Sequence, residues 1–209
     1  VVHSKLVPNM DYAQLASDEQ IEHAAEALES HNIHVLIAAT GEEAKIMLFD
    51  TIPESAEVFT GNSVTLETLG IPVEVEAHFD SVRAKLTTMD RQTQWRDMVK
   101  LGAVPEYIIG SVHAVTEDGS VVVASMSGSQ LAPYAASAAH VIWIVGAQKI
   151  VPTLEDAMKR VQEYVYPLED EHALQTIGVN SSINKLLVIH KEIAPGRTTM
   201  IIVKEELGF

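Results

Sequence analysis

The chain reads as an α/β domain, a mostly parallel sheet flanked by helices, with a helical N-terminal portion. Two observations predict this. Apolar runs of strand length, such as IHVLIAA from Ile33 and HVIWIVGA from His140, alternate with stretches whose apolar residues recur at helical spacing. These runs are apolar throughout rather than alternating, as strands covered on both faces are. With 209 residues and 47% hydrophobic content the chain can bury one sizeable core. A single domain over 1–209 is therefore expected, with 1–55 feeding the same sheet as 56–209.

Taken in order, Ser17 and Gln20 have the spacing of a capping box, and Ile21, Ala24, Ala25 and Leu28 give the following helix one apolar face. Ile33 opens a strand, and Thr40 caps a second helix through TGEEAKIMLFD. AEVFT predicts a strand ending near Thr60, and GNSVTLETLG a loop entering a short helix that Gly70 stops. From Asp80 to Leu101 the pattern is helical, with no strand. YIIGSVHAVTEDGSVVVAS reads as two strands, or as a strand and a hairpin, because Asp118-Gly119 is a turn signal between β-branched runs. SQLAPYAASAA reads as a short helix or tight connection, and HVIWIVGA as a buried strand. Thr153 and Asp156 cap LEDAMKRVQEYV, which Pro167 is expected to end. NKLLVIHKEI and TTMIIVKEE, joined by APGR, are expected to pair as a closing hairpin.

Composition excludes several functions. With no cysteine, the chain cannot form disulfides, thiolate zinc sites or cysteine-ligated iron–sulfur clusters, and it encodes no recognisable cofactor site. A formal charge of −15 argues against nucleic acid as a partner. VIWIVGAQKIV, the longest apolar candidate, is interrupted by Gly146, Gln148 and Lys149, so no membrane span is expected. VVHSKLVPNM has neither the apolar core nor the cleavage site of a signal peptide, which makes a cytoplasmic protein the expectation.

Ligands of open α/β sheets bind beyond the carboxyl ends of the strands. Three predicted strand ends here are rich in polar groups: Gly61-Asn62-Ser63 with Thr65, then Ser125 to Gln130, then Gly146 to Lys149. Ser63, Thr65, Ser125, Ser127, Gly128, Ser129, Gln130, Gly146 and Lys149 are the candidate binding residues, and together they suit a small anionic metabolite. Each end taken alone is also ordinary turn chemistry. Lys149 stands out because it interrupts an apolar run, where a lysine either snorkels or meets a ligand. Arg160, on the following helix, joins the candidates, with a salt bridge to Glu169 or Asp170 as its structural alternative. Arg197 reads as a loop-closing residue. Glu117, ahead of Asp118-Gly119, is the candidate catalytic carboxylate, although an exposed acid is common at such a turn. The nine histidines form no metal motif, and GxGxxG, GxxxxGK[ST] and GxSxG are all absent.

HAVTEDGSVVVASMSGSQLAPYA, VIWIVGAQKIVPTLEDAMKRVQEYVYPLEDE, NKLLVIHKEIAPGRTTMIIVKEELGF and NSVTLETLG resemble the LUD domain of lactate-utilisation proteins, in its short, LutC-like form. The resemblance covers roughly Ala56 to Phe209. It implies the fold of the sugar-phosphate isomerase and coenzyme A transferase superfamily (NagB/RpiA/CoA transferase-like). It also implies a role in oxidising L-lactate, a 2-hydroxy acid, to pyruvate together with iron–sulfur partner proteins. The superfamily's coenzyme A transferases place a catalytic glutamate ahead of a glycine at a strand turn, which Glu117-Asp118-Gly119 resembles. Two alternatives therefore stand beside ligand binding: a non-catalytic assembly subunit, and a stand-alone acyl-transferring or sugar-phosphate-binding enzyme.

Overall fold

The computed structural model describes residues 6–209. Val1–Lys5, half of the segment read for a signal peptide, lie outside them. The strands are β1 (Ile33–Ala38), β2 (Glu57–Thr60), β3 (Asp80–Ser81), β4 (Tyr107–Gly110), β5 (Ala114–Thr116), β6 (Val121–Ser125), β7 (His140–Gly146), β8 (Ile150–Val151), β9 (Lys185–Ile189) and β10 (Thr198–Val203). The α-helices are α1 (Asp18–Ser30), α2 (Gly41–Thr51), α3 (Val64–Thr68), α4 (Ile71–His78), α5 (Val82–Thr87), α6 (Trp95–Ala103), α7 (Leu154–Arg160) and α8 (Tyr166–Ile177).

Six strands form one parallel sheet in the order β1-β10-β7-β4-β2-β3. Its centre is β7 and β10, whose side chains are apolar on both faces because both faces are covered. Val141, Trp143, Val145, Met200 and Ile202 pack on one side with Ile21, Ala24 and Leu28 of α1. Ile142, Ile144, Ile201 and Val203 pack on the other with Ala44 and Leu48 of α2 and Ile71 and Val75 of α4. The capping box that opens α1 is formed, Ser17 accepting from the Gln20 amide while the Gln20 side chain accepts from the Ser17 amide.

The remaining strands make a second sheet, in the order β8-β5-β6-β9. The predicted turn joins β5 and β6 as an antiparallel hairpin, with Gly119 at φ +83°. Val115, Val121 and Val123 face the α1 side of the large sheet, and Ala114, Val122 and Ala124 face Ala157 and Val161 at the end of α7. That double coverage explains the β-branched run at 121–123. No helix among the described residues is long and apolar enough to cross a membrane.

Three local expectations are corrected. β9 and β10 do not pair: β9 joins β6 antiparallel in the small sheet, while β10 runs parallel between β1 and β7. A strand carrying the apolar run Met200-Ile201-Ile202-Val203 gains more from burial on both faces than from a partly exposed hairpin. The segment from Asp80 is not wholly helical. Asp80 and Ser81 pair with β2, a ladder too short to leave a period, and Asp90 then breaks the helix by accepting from the Gln92 amide and the Thr93 hydroxyl. Nor does Pro167 end its helix, which continues through a π-helical turn at Val161–Val165 into α8. Residue 167 would ordinarily donate to the Glu163 carbonyl, and here that carbonyl is taken by the Asn9 amide at 2.8 Å.

Arg197, read as closing a loop, instead satisfies a wide turn in front of β7. Its guanidinium donates to the carbonyls of Pro133 at 2.7 Å, Tyr134 at 3.1 Å and Ala138 at 3.2 Å, and pairs with Glu192 at 2.6 Å. Arg197→Ala strips partners from these carbonyls and leaves the Glu192 carboxylate without its cation, with the Thr198 hydroxyl at 2.9 Å still donating to it. It should lower unfolding stability by about 3 kcal/mol in urea titration.

Candidate functional site

Because β2, β4 and β7 are parallel, the chain leaves all three on one edge of the sheet, at Thr60, Gly110 and Gly146. The residues that follow, together with the loop after β6, enclose a cleft in two parts. The wider part, about 200 Å³, is walled by the serine loop (Ser125, Ser127, Ser129) and by Val161, Val165 and Ala173. The narrower part, about 50 Å³, runs to Lys149 past Ser63, Thr65, Ser111, Tyr134 and Phe209. Asn62, His113, Gln130 and Glu169 border both, so the two parts adjoin.

Lys149 ends a 3-10 turn after β7 and is 1% exposed. Its Nζ donates to Thr65 Oγ1 at 3.0 Å and Ser111 Oγ at 3.1 Å, and no carboxylate partners it among the described residues. The Thr65 hydroxyl donates onward to the Leu207 carbonyl at 3.1 Å, which commits its oxygen to accepting from Lys149. Burial, reinforced by the Arg160 cation, holds the amine well below the usual lysine pKa.

His113 shares this environment. Its Nδ1 accepts from the Ala124 amide at 3.1 Å, so the neutral ring carries its proton on Nε2. Burial, then Lys149 and Arg160, push its pKa down to about 3. Glu169 moves the opposite way: burial raises its carboxyl pKa, against the pull of His172, whose Nδ1 is 3.7 Å away. Tyr134 lies under the narrow part, edge-on to Trp143 with ring centroids 5.5 Å apart. A Cβ on Gly110 would sit 1.6 Å from the Tyr134 hydroxyl, so only glycine lets that ring lie beneath β4.

The serine loop is ordered by its own side chains. Ser125 Oγ accepts from the Gly128 amide at 2.9 Å and donates to Gln130 Oε1 at 3.2 Å, while Ser127 and Ser129 share a bond at 3.2 Å. Gly128 takes φ +86° to make this turn. Asn62 is fixed from outside, its Oδ1 accepting from Arg83 at 2.6 Å.

Of the residues singled out in the sequence, Ser63, Thr65, Ser125, Ser127, Ser129, Gln130 and Lys149 line the cleft. Gly128, Gly146, Arg160 and Glu117 are not among its lining residues; Gly128 shapes the serine loop from behind. A Cβ on Gly146 would stand 2.2 Å from Gln148 Oε1 and 2.7 Å from the Leu207 amide, so this glycine admits the C-terminal segment. Arg160 is fully buried behind the cleft, donating to the Gln148 carbonyl at 3.3 Å and closely to that of His113, with Nη2 unpartnered. Burial lowers its pKa to about 10. Glu117 sits on the β5–β6 turn, held by Gln20 at 2.8 Å and 3.6 Å from His23. His113, Glu169, Ser111 and Tyr134 are additions that sequence reasoning missed. Ser111 lies outside the family-like stretches; His113 opens one, Tyr134 sits in GSQLAPYA and Glu169 in PLED, but no spacing within them marks these residues as a site.

The depressed His113 pKa has a consequence for stability. Between about 6.5 and about 3 the unfolded chain binds a proton at this residue that the native state does not, so acidification through that window costs stability. His113→Gln should flatten the pH dependence of the urea midpoint over this range, and the imidazole nitrogen resonances of the wild type should keep the Nε2–H neutral form to about pH 4.

Comparison with known proteins agrees with this architecture. No curated protein matches the chain. A crystal structure of a DUF162 family protein from Deinococcus radiodurans superposes with a TM-score of 0.55 at 8% identity, covering 91% of this chain and 99% of that one. Such a likeness shows a shared fold. The LUD domain model matches residues 21–203, and over that span, nearly the whole chain, the protein belongs to the LUD domain family.

Proposed function

We propose that this LUD-domain protein serves lactate utilisation by binding a small 2-hydroxy or 2-oxo carboxylate in the cleft that ends at Lys149, in a system whose oxidation of lactate involves iron–sulfur partner proteins. The observation that carries this reading is a buried lysine with two hydroxyl partners and no carboxylate partner among the described residues. A buried cation of this kind is poorly compensated until an anion joins it.

The cleft's size and lining narrow the ligand. The narrow part has room for only a few water-sized groups, which suits the 2-oxygen end of a three-carbon acid and not a sugar ring. Ser127, Ser129, Asn62 and the His113 Nε2–H supply donors for its carboxylate in the wider part. Glu117 lies outside this cleft, so acyl transfer through it is not the reading favoured here.

Binding an anion beside Lys149 raises the amine's depressed pKa, so the bound state holds more protons than the free one. Titration calorimetry with L-lactate and with pyruvate should therefore show saturable binding with proton uptake. Affinity should weaken as the pH rises, and Lys149→Met should lower it about tenfold or more. No saturable heat with either acid, or an unchanged affinity in Lys149→Met, would sink the proposal.

A further inference from the structure

The geometry at Lys149 points to more than charge recognition. We propose that the Lys149 amine forms a covalent imine with the C2 carbonyl of a 2-oxo acid in this cleft, an inference that rests on the ligand class proposed above.

An amine needs a free lone pair, an orientation and a proton carrier to do this. In its neutral form Lys149 Nζ has two N–H donors. The Thr65 and Ser111 oxygens, at 3.0 and 3.1 Å, take both. Thr65 Oγ1 spends its own hydrogen on the Leu207 carbonyl, so it cannot turn and donate to the amine. The remaining position on nitrogen is the lone pair, and Lys149 is the one lysine among the residues lining the cleft. Among the described residues no carboxylate forms an ion pair with the amine. Burial and the nearby Arg160 favour the neutral form for the same reason. Buried lysines so perturbed are the kind that serve in Schiff-base chemistry.

The step balances without an oxidant. The Nζ lone pair attacks C2, the carbonyl π electrons move to oxygen, and that oxygen gains the proton that nitrogen gives up. The resulting carbinolamine loses its hydroxyl as water while the C–N double bond forms. Glu169, which borders both parts of the cleft, is placed to hand a proton to the departing hydroxyl and to recover one from nitrogen. Its raised carboxyl pKa keeps a protonated fraction available.

Borohydride reduction of the protein in the presence of pyruvate tests this, read by intact mass and by peptide mapping. The expected result is one secondary-amine adduct on the peptide carrying Lys149, suppressed by excess L-lactate and absent in Lys149→Arg. Pyruvate binding by calorimetry on the same sample separates the two proposals. If pyruvate binds saturably but no adduct forms at Lys149, or adducts scatter over exposed lysines only, the imine is overturned and the binding reading stands. If pyruvate does not bind, the imine falls, and the binding reading falls with it only when L-lactate gives no saturable heat either. Because the wild-type peptide map decides the matter, a poorly folding variant does not rescue the idea.

Discussion

The site is organised around two basic groups, Lys149 and Arg160, buried on adjacent stretches of chain with no salt bridge to either among the described residues. Burial is the main cause that lowers the pKa of both Lys149 and His113, and the neighbouring charges add to it, Arg160 on Lys149 and both on His113. Hydroxyls meet Lys149, while Arg160 has carbonyls, the face of Tyr164 and, beyond ion-pair distance, the Glu206 carboxylate. Arg160 thereby ties together the backbone at His113 and at Gln148, the two segments that bring the imidazole and the amine to one cleft. The result is a cleft whose one lining lysine is held below the usual lysine pKa, with Arg160 buried behind it.

Backbone proximity matters as much as charge. Gln148 donates to the carbonyls of Leu207 and Gly208, both at 3.0 Å, and so draws the C-terminal segment over the sheet edge. That segment passes so near Thr65 that a Cβ on Gly208 would meet its hydroxyl at 2.4 Å. Thr65 is thus pinned between the C-terminal segment and Lys149, and Phe209 becomes part of the narrow wall. Gly146 and Gly110 serve the same economy of space, one admitting the segment and the other admitting Tyr134. Residues far apart in the chain converge here because parallel strands deliver their ends to one edge.

The sequence by itself determined the α/β class, the capped start of α1, the β5–β6 turn and the polarity of three strand ends, because periodicity, caps and turn residues are local signals that survive without tertiary context. It also marked Lys149, since a lysine inside VGAQKIV violates its own apolar pattern. The tertiary structure alone decided that β10 enters the centre of the large sheet rather than pairing with β9, that a second sheet exists, and that a π-helical turn carries the chain past Pro167. It alone separated Gly146, Arg160 and Glu117 from the cleft and added His113 and Glu169 to it. Strand pairing and burial depend on contacts between distant residues, and a side chain's pKa depends on the charges and desolvation those contacts create. Neither quantity is written in any short stretch of chain.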